Sequence, residues 1–458
     1  MSSNDDLVDA ILAELRSSGA VPTGAVTRTA QQRAPVAPAQ ARQPAPAVAP
    51  AGNGGGRIPF ERAVDPARRA RKAGTLKLAV LGGGNGGLAM AGHMSILGYE
   101  VSMWSPFSWE LAPVEDAGGI EVAGPEVQGF GKVARVTRSL DEAIAGADLI
   151  MIVAPAMSHR PYASMMAPIL QDGQRVVLNP GRTGGALEFA KTLTRFACSA
   201  DIVLGETQTF IYAAERRGPH KVEILKEKFR MRASALPASE NDALMEYLRD
   251  FYPQIESAQN VLETSLNNVA PVVHPGTVML NTQVIERTAA GEPLKFYKDQ
   301  VTQTIASLVM RKVDEEKMAV ARAVGLREVW SLLDWYRESY HVVGEDIYDA
   351  LMRNPYYEGF SAPSHLLAQN HILDDVPDSL VPIASLGRAL GVPVPTIGAL
   401  IDLASAMCSI DWWEEGRTVE RLGLAGMTPE EMLRHVEVDA LGGRCAESGV
   451  CRVFGFYR

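Results

Sequence analysis

The sequence predicts an α/β domain with a doubly wound parallel sheet, followed by an all-α domain. Between residues 76 and 255, β-like apolar runs alternate with helical patterns, as βαβ units with helices on both faces of a sheet require. The runs are LKLAVLG, EVSMWS, ADLIMIVAP, QRVVLNPG and ADIVLGET. From about residue 260 to 430 the strand signal fades and long helical patterns replace it. We therefore expect a sheet domain over residues 74–258 and a helical domain over residues 259–458.

Two segments of different character precede the sheet domain. Within residues 1–19, acids near the start and apolar side chains at helical spacing, such as Leu7, Ile11 and Leu15, predict a short amphipathic helix. Such a short helix is not stable alone in water, so it needs an apolar partner or frays. Residues 20–73 are rich in Ala, Pro, Gln and Gly, which predicts a disordered linker.

The bulk composition excludes several classes of function. The net charge of -10 over 458 residues argues against binding to a phosphate backbone, because nucleic-acid-binding proteins usually carry a basic face. No apolar run is long enough for a membrane helix, and the acidic N-terminus does not look like a signal peptide. The 4 cysteines form no CxxC pair, so no metal site is expected. We therefore expect a cytoplasmic protein with neither nucleic-acid nor membrane partners.

The segment after the first predicted strand carries the strongest motif. It follows the strand KLAVLG and opens a helix of small residues, and a second strand comes next, which is the context that a dinucleotide-binding (Rossmann-type) site requires. Its glycines permit a tight turn, let the backbone approach a pyrophosphate, and let the helix pack close to the strand. The residues expected to contact the cofactor are Gly82, Gly83, Gly84, Asn85, Gly86 and Gly87.

Two further positions bear on the cofactor. Ser105 stands at the end of the second strand, where an acid usually binds the ribose 2′-hydroxyl of NAD. A hydroxyl does not repel a 2′-phosphate and can donate to it, which favours NADP(H), while NAD bound through other contacts stays open. Ala154 and Pro155 follow another buried strand, and we expect them to lie beside the nicotinamide half of the cofactor.

Candidate catalytic and substrate-binding residues come from three other segments. Arg182, in NPGRTGG, either holds a substrate carboxylate or pairs with a surface acid. His274 is a candidate proton donor, because histidine titrates in the useful range, or a satisfied core residue. Asp374 and Asp375 offer carboxylates that could orient this imidazole, although spacing alone does not pair them with it.

Taken together, these motifs resemble the opine dehydrogenase family (octopine/nopaline-type NAD(P)H dehydrogenases). The matching segments are VLGGGNGGLAMAGHMSILGYEVSMW, NPGRTGGALEF, GETQTFIYAAE, NNVAPVVHPG, YEGFSAP, DDVPDSLVP and GRTVERLGLAG, within residues 76 to 425. The resemblance implies an enzyme that condenses an amine or amino acid with a 2-oxo acid and reduces the resulting imine with NAD(P)H. We also expect a homodimer. By the same resemblance His274 is the catalytic histidine, and Asp375 orients it.

One position departs from the pattern of that family. Asn370 stands where octopine-type members place an arginine that grips a substrate carboxylate. A neutral amide does not replace a bidentate guanidinium, so the amine partner need not be a standard α-amino acid, or another cation such as Arg182 takes the role. We expect Arg182, Asn268 and Asn370 to line the substrate site.

Other interpretations remain open at this stage. The N-terminal helix with its Ala/Pro linker resembles the encapsulation peptides of bacterial microcompartments, in which case residues 5–16 would dock on a shell or cargo protein. An alternative enzyme class is a two-domain reductase similar to glycerol-3-phosphate dehydrogenase, which would rely on a lysine rather than on His274. A non-enzymatic alternative is a dinucleotide-binding scaffold recruited through the N-terminal helix.

Overall fold

A computed structural model describes residues 75–367 and 371–438. The predicted N-terminal helix and linker, and the end of the chain beyond residue 438, lie outside the described residues. Each of the five apolar runs predicted as strands contains a strand of one large sheet. That sheet comprises β1 (Lys77–Leu81), β2 (Glu100–Trp104), β5 (Arg135–Thr137), β6 (Leu149–Ile152), β7 (Arg175–Leu178), β8 (Val203–Thr207), β11 (Met231–Leu236) and β12 (Ile255–Ser257).

The strand order of the large sheet is β12-β11-β8-β7-β6-β1-β2-β5, and all neighbours are parallel except the antiparallel pair β8 and β11. The chain runs outward from β1 to β2 and β5, and then returns to β6 on the other side of β1. The sheet therefore has its topological switch point between β1 and β6, and ligands of such sheets bind beyond the strand ends at that point.

Helices cover the faces of this sheet, as predicted. Buried apolar residues of β1, β6, β7 and their covering helices form two large clusters, one on each side of the sheet. The helices of the sheet domain are α1 (Asn85–Ile96), α2 (Ser108–Ala117), α3 (Leu140–Ile144), α4 (His159–Met166), α5 (Gly185–Arg195) and α6 (Asn241–Phe251), with 3₁₀ turns at Ala156–Ser158 and Ala238–Glu240.

A second sheet, which the sequence did not predict, packs on the outer face of α1. Its order is β4-β3-β10-β9, and it is built from β3 (Gly119–Ala123), β4 (Gly129–Lys132), β9 (Tyr212–Gly218) and β10 (Lys221–Glu227). The close approach depends on Gly92 of α1, since a Cβ there would lie 2.6 Å from the Val122 side chain. The helix that follows the glycine motif is thereby clamped between two sheets.

From residue 261 onward the described chain is helical, as predicted. The helices are α7 (Val261–Leu266), α8 (Ala270–Leu280), α9 (Thr282–Ala289), α10 (Arg311–Val324), α11 (Leu332–Tyr340), α12 (Ile347–Arg353), α13 (Val381–Ala389), α14 (Pro395–Cys408), α15 (Trp412–Glu415), α16 (Val419–Leu422) and α17 (Pro429–Glu437). Short π-helical segments span Phe296–Gln300, Ile305–Met310 and Val376–Leu380, and a 3₁₀ turn spans Pro355–Tyr357. None of the helices in the described ranges is long and apolar enough to span a bilayer.

A buried ionic cluster joins the two domains. Arg417 is fully buried; its guanidinium lies 2.6 Å from Glu188 of α5 and 3.1 Å from Asp378, and it also donates to the carbonyl oxygen of Ala156 at 3.0 Å. Arg421 adds a second contact to Glu188 at 2.5 Å. Because buried charges are costly unless paired, this cluster fixes the helical domain over the carboxyl ends of the strands.

Candidate active site

The glycine motif forms a tight turn between β1 and α1 that other residues cannot build. Gly82 has a φ of +136°, and a Cβ there would lie 2.0 Å from the carbonyl oxygen of Val153. A Cβ on Gly87 would lie 1.9 Å from the carbonyl oxygen of Gly82, so the helix can pack against the strand only with glycine at this position. Above Gly84, in contrast, a Cβ would meet no atom within 4 Å. The loop therefore presents bare backbone to open space.

This geometry fits the pyrophosphate of a dinucleotide. Gly84 is the N-cap of α1 and supplies no side-chain cap, so the amide groups of the first turn remain available to an anion. Asn85 and Gly86 open this first turn, and a Cβ on Gly86 would lie 2.8 Å from the Val153 side chain. The glycines thus bring the positive end of the helix dipole to the switch point of the sheet.

The Ser105 side chain is paired with a carboxylate of the protein. It is buried and donates a hydrogen bond of 2.5 Å to Oε2 of Glu110, in the first turn of α2. The same oxygen accepts the backbone N–H of Gly83 at 3.1 Å. Burial raises the pKa of Glu110, while Ser105, Arg216 and Gly83 oppose that rise. Glu110 was not predicted from the sequence; the available signal was an acid a few residues beyond the end of β2.

Ala154 and Pro155 lie beyond the end of β6, at the switch point. The backbone of Val153 lies against Gly82, so this loop and the glycine turn are neighbours. The next residue, Ala156, donates its N–H to Asp374 Oδ1 at 2.5 Å, which ties the loop to the helical domain. The two positions therefore lie where a nicotinamide site is expected, and their contact with the cofactor remains a prediction.

His274 and Asp375, which are 101 residues apart in sequence, are hydrogen-bonded in the structure. Nδ1 of His274, on α8, lies 2.7 Å from Oδ2 of Asp375, which immediately precedes the π-helical segment Val376–Leu380. Nε2 of His274 lies 3.3 Å from the hydroxyl of Tyr297. The imidazole of His371 stacks on His274, with the ring centroids 4.3 Å apart.

The surroundings of His274 favour a neutral imidazole. Burial lowers its pKa to about 3; the nearby charge of Arg182 lowers it further, and Asp374 opposes the shift. Burial also raises the pKa of Asp375, against the opposing effect of Arg182. With Asp375 ionised and accepting from Nδ1–H, Nε2 is the unprotonated nitrogen of the ring and can accept a hydrogen bond, as it does from the Tyr297 hydroxyl.

Arg182 lies next to the His274–Asp375 pair and bridges Asp374 and Asp375. Its guanidinium lies 2.8 Å from Asp374 Oδ2 and 2.8 Å from Asp375 Oδ1, and both carboxylates are buried. The residue has a φ of +59°, a left-handed conformation that few side chains adopt. The charge of Arg182 is therefore shared by two acids of the protein, and its binding to a substrate carboxylate remains a prediction.

The other predicted substrate residues have different positions. Asn268 is buried; its Nδ2 donates to Ser379 Oγ at 2.9 Å, and its Oδ1 accepts the N–H of Ala270 at 3.2 Å. Its side chain is thus occupied by protein groups that hold α8 near the Val376–Leu380 segment. Asn370 lies outside the described residues.

Sequence reasoning also missed the aromatic wall of the site. Tyr297 stacks on Tyr357 with the ring centroids 3.8 Å apart, and Phe296 and His371 pack beside His274. Phe296 and Tyr297 open the π-helical segment Phe296–Gln300, whereas Tyr357 ends the 3₁₀ turn Pro355–Tyr357 and His371 lies in a turn, so no periodic pattern connects them. Within residues 75–367 and 371–438, no group of three or more His, Cys, Asp or Glu side chains is arranged to hold a metal ion.

Comparison with known proteins gives consistent matches. The family model for the α-helical domain of NAD/NADP octopine/nopaline dehydrogenases matches residues 257–408. An opine dehydrogenase of Arthrobacter sp. (strain 1C) is 37% identical over 359 residues, covering 78% of this chain and 98% of the relative. An octopine dehydrogenase of Pecten maximus is 25% identical over 371 residues, covering 75% and 92% of the two chains.

Solved structures share the fold. Octopine dehydrogenase in complex with NADH and agmatine has a TM-score of 0.62 at 23% identity, covering 78% of this chain and 98% of that chain. Yersinopine dehydrogenase with bound NADP+ has a TM-score of 0.61 at 14% identity, covering 79% and 98%. Both similarities extend across the sheet domain and the helical domain.

Proposed function

This chain belongs to the opine dehydrogenase family, and we propose that it is an oxidoreductase that condenses an amine or amino acid with a 2-oxo acid and reduces the imine with NAD(P)H. The observation that carries the proposal is the hydrogen bond of 2.7 Å between His274 and Asp375. This pair lies on the helical domain, and Arg182 connects it to the sheet domain that bears the glycine loop. These contacts support a proton-transfer role for His274 at the side of the helical domain that meets the sheet domain.

His274 acts in this proposal as the proton-transfer group. Its low pKa leaves Nε2 unprotonated in the resting protein, so it first accepts a proton from the amine nitrogen as the C–N bond forms. It passes that proton to the former keto oxygen, which leaves as water; both hydrogens of that water come from the nitrogen. Asp375 accepts from Nδ1–H throughout, orients the ring and stabilises the transient imidazolium.

The glycine loop, with residues 82–87, would hold the pyrophosphate of the cofactor, and Ala154 and Pro155 would lie near its nicotinamide. NAD(P)H, when bound, supplies the hydride that adds to the imine carbon. The imine nitrogen takes one proton at this step. His274, which is neutral again once water has left, takes this proton from solvent and delivers it to the nitrogen. The product is a secondary amine, and the reverse sequence oxidises it.

The charges of the site bear on the identity of the amine. Arg182 is already paired with two acids, and Asn370 is neutral, so neither supplies an uncommitted cation for an α-carboxylate. We therefore infer that the substrates include amines without an α-carboxylate as well as α-amino acids. Asn268 would act by holding α8 in place through Ser379 rather than by touching substrate.

A substrate screen tests the proposal. NADH and NADPH oxidation would be followed at 340 nm, the absorbance of the reduced nicotinamide, with pairs of amines and 2-oxo acids, each with and without the amine. We expect consumption of the reduced cofactor that requires both partners. Oxidation with a ketone alone, insensitive to His274→Gln, would favour the reductase related to glycerol-3-phosphate dehydrogenase. Cofactor binding without turnover on any pair would favour the scaffold.

The assembly and location are also proposals. We propose a homodimer in the cytoplasm, with residues 5–16 docking on a microcompartment shell or cargo protein through the apolar stripe of the predicted helix. Deleting residues 1–57 should leave the specific activity unchanged and abolish co-sedimentation with such a partner. Loss of activity on deletion would contradict the assignment of residues 20–73 as a linker. Sedimentation equilibrium of the full chain would test the dimer.

A further inference from the structure

A partly buried carboxylate lies against the glycine loop without taking part in the proposed chemistry. Glu110 Oε2 accepts both the backbone N–H of Gly83 at 3.1 Å and the hydroxyl of Ser105 at 2.5 Å. A Cβ on Gly83 would lie 2.5 Å from the Cβ of Glu110, so this approach requires glycine in the loop. Glu110 therefore packs directly against the backbone of the glycine loop and accepts a hydrogen bond from it.

We propose that Glu110 recognises the adenosine ribose of the cofactor and selects NAD(H) against NADP(H). In doubly wound sheets an acid following the second strand accepts a hydrogen bond from the ribose 2′-hydroxyl. Here the residue directly after β2 is Ser105, and its hydroxyl is used to hold Glu110. The helix α2 thus supplies, from one turn further along the chain, the carboxylate that the strand end lacks. This inference rests on the proposed function and favours the NAD(H) alternative left open above.

The geometry leaves Glu110 able to do this. Oε2 accepts from two donors of the protein, which fix the side chain. Within the part of the chain that the structure describes, no hydrogen bond reaches Oε1, which would accept from the ribose diol. A 2′-phosphate at the same place would bring two negative charges against a partly buried carboxylate, where the repulsion is weakly screened. Recognition of the hydroxyl and exclusion of the phosphate therefore come from one group.

A cation, Arg216, interacts with Glu110. Arg216 and Glu110 attract each other, as the lowering effect of Arg216 on the pKa of Glu110 records. The Arg216 guanidinium also donates to the carbonyl oxygens of Gly218 at 3.1 Å and Pro219 at 2.6 Å. Removing the charge of Glu110 would leave the positive charge of Arg216 uncompensated beside the ribose site. A neutral residue at position 110 should therefore improve binding of the phosphorylated cofactor.

The experiment is a titration of NADH and NADPH fluorescence with wild-type protein, Glu110→Gln and the control Glu115→Gln. Glu115 lies on the same helix and is exposed, so its variant matches the charge change without touching the loop. We expect wild type to bind NADH at least about tenfold more tightly than NADPH, since a hydrogen bond to a charged group is worth at least that factor. Glu110→Gln should reduce this ratio by about 10- to 100-fold, and Glu115→Gln should leave it unchanged.

Ser105→Ala provides a second variant, because it removes one of the two donors that hold Glu110 and should reduce the ratio in the same direction. It decides the question if Glu110→Gln does not fold, as judged by circular dichroism. Tighter binding of NADPH than of NADH by wild type, or the same ratio in the folded variants, would overturn the role of Glu110 alone. Failure of wild type to bind either nucleotide would instead count against the proposed function.

Discussion

Replacement of Arg182 by Met should destabilise the protein far more than replacement of another arginine with the same number of partners. Arg182 bridges Asp374 and Asp375, both at 2.8 Å, and these carboxylates are 2% and 0% exposed. Arg230 likewise bridges Glu256 and Glu338, both at 2.6 Å, but their side chains are 21% and 24% exposed. The variants Arg182→Met and Arg230→Met therefore differ mainly in the burial of the carboxylates that lose their cation.

The expected magnitudes follow from that difference. Removing one partner of a buried ion pair costs about 3–5 kcal/mol, because an uncompensated charge is left inside the protein. An exposed pair contributes about 0–1 kcal/mol. Methionine keeps a long unbranched side chain at the left-handed φ of +59°, so Arg182→Met adds no β-branched strain. The free energy of unfolding would be compared by urea denaturation at pH 7, followed by tryptophan fluorescence.

The pH dependence supplies the result that would refute this reasoning. Without Arg182, the pKa values of Asp374 and Asp375 should rise further above their ordinary range, because the cation opposes the rise in pKa that burial causes. Raised folded-state pKa values in acids give stability that is present at low pH and is lost as the pH rises. The deficit of Arg182→Met should therefore be larger at pH 8 than at pH 5. Equal deficits for the two variants, or a deficit independent of pH, would contradict the account.

Three further predictions concern the loop and the His274–Asp375 pair. Gly87→Ala should abolish nucleotide binding or folding, because its Cβ would lie 1.9 Å from the carbonyl oxygen of Gly82. Gly84→Ala, whose Cβ would meet no atom within 4 Å, should fold normally and bind the nucleotide more weakly. Circular dichroism would measure folding and fluorescence titration would measure binding. Asp375→Asn should lower turnover by a factor on the order of 100 with unchanged nucleotide affinity, measured by stopped-flow NADH absorbance. Burial holds the pKa of His274 at about 3, below its ordinary 6.5, so wild type should lose stability as the pH falls between these values, and His274→Gln should lose less in urea titrations.

The sheet domain could be predicted from the sequence because its signals are local. The apolar runs, the glycine turn and the helix of small residues each report a neighbouring stretch of backbone, and the structure places β1, the turn, α1 and β2 in that order. The second sheet could not be predicted in the same way. Its strands come from two segments far apart in sequence, within Gly119–Lys132 and Tyr212–Glu227. Strands β3 and β10 pair with each other on the face of α1, a helix that belongs to neither segment.

The site was predictable only in part, for a related reason. Spacing left His274 with two adjacent aspartates as candidate partners, and the resemblance to a family singled out Asp375. The structure shows how the neighbours divide the work: Asp375 pairs with the imidazole, and Asp374 fixes the backbone of Ala156. The bridging position of Arg182 depends on the docking of two domains, which no local pattern records.

The most direct test of the central claim is the turnover of His274→Gln on the pair of substrates that the screen identifies. Stopped-flow absorbance would measure consumption of the reduced nicotinamide, and fluorescence titration would measure its affinity, with His220→Gln as a control far along the chain on the β9–β10 turn. The account predicts a loss of turnover of about 100-fold or more with unchanged nucleotide affinity, and a normal control. Wild-type turnover in folded His274→Gln would show that the imidazole paired with Asp375 does not carry the proton.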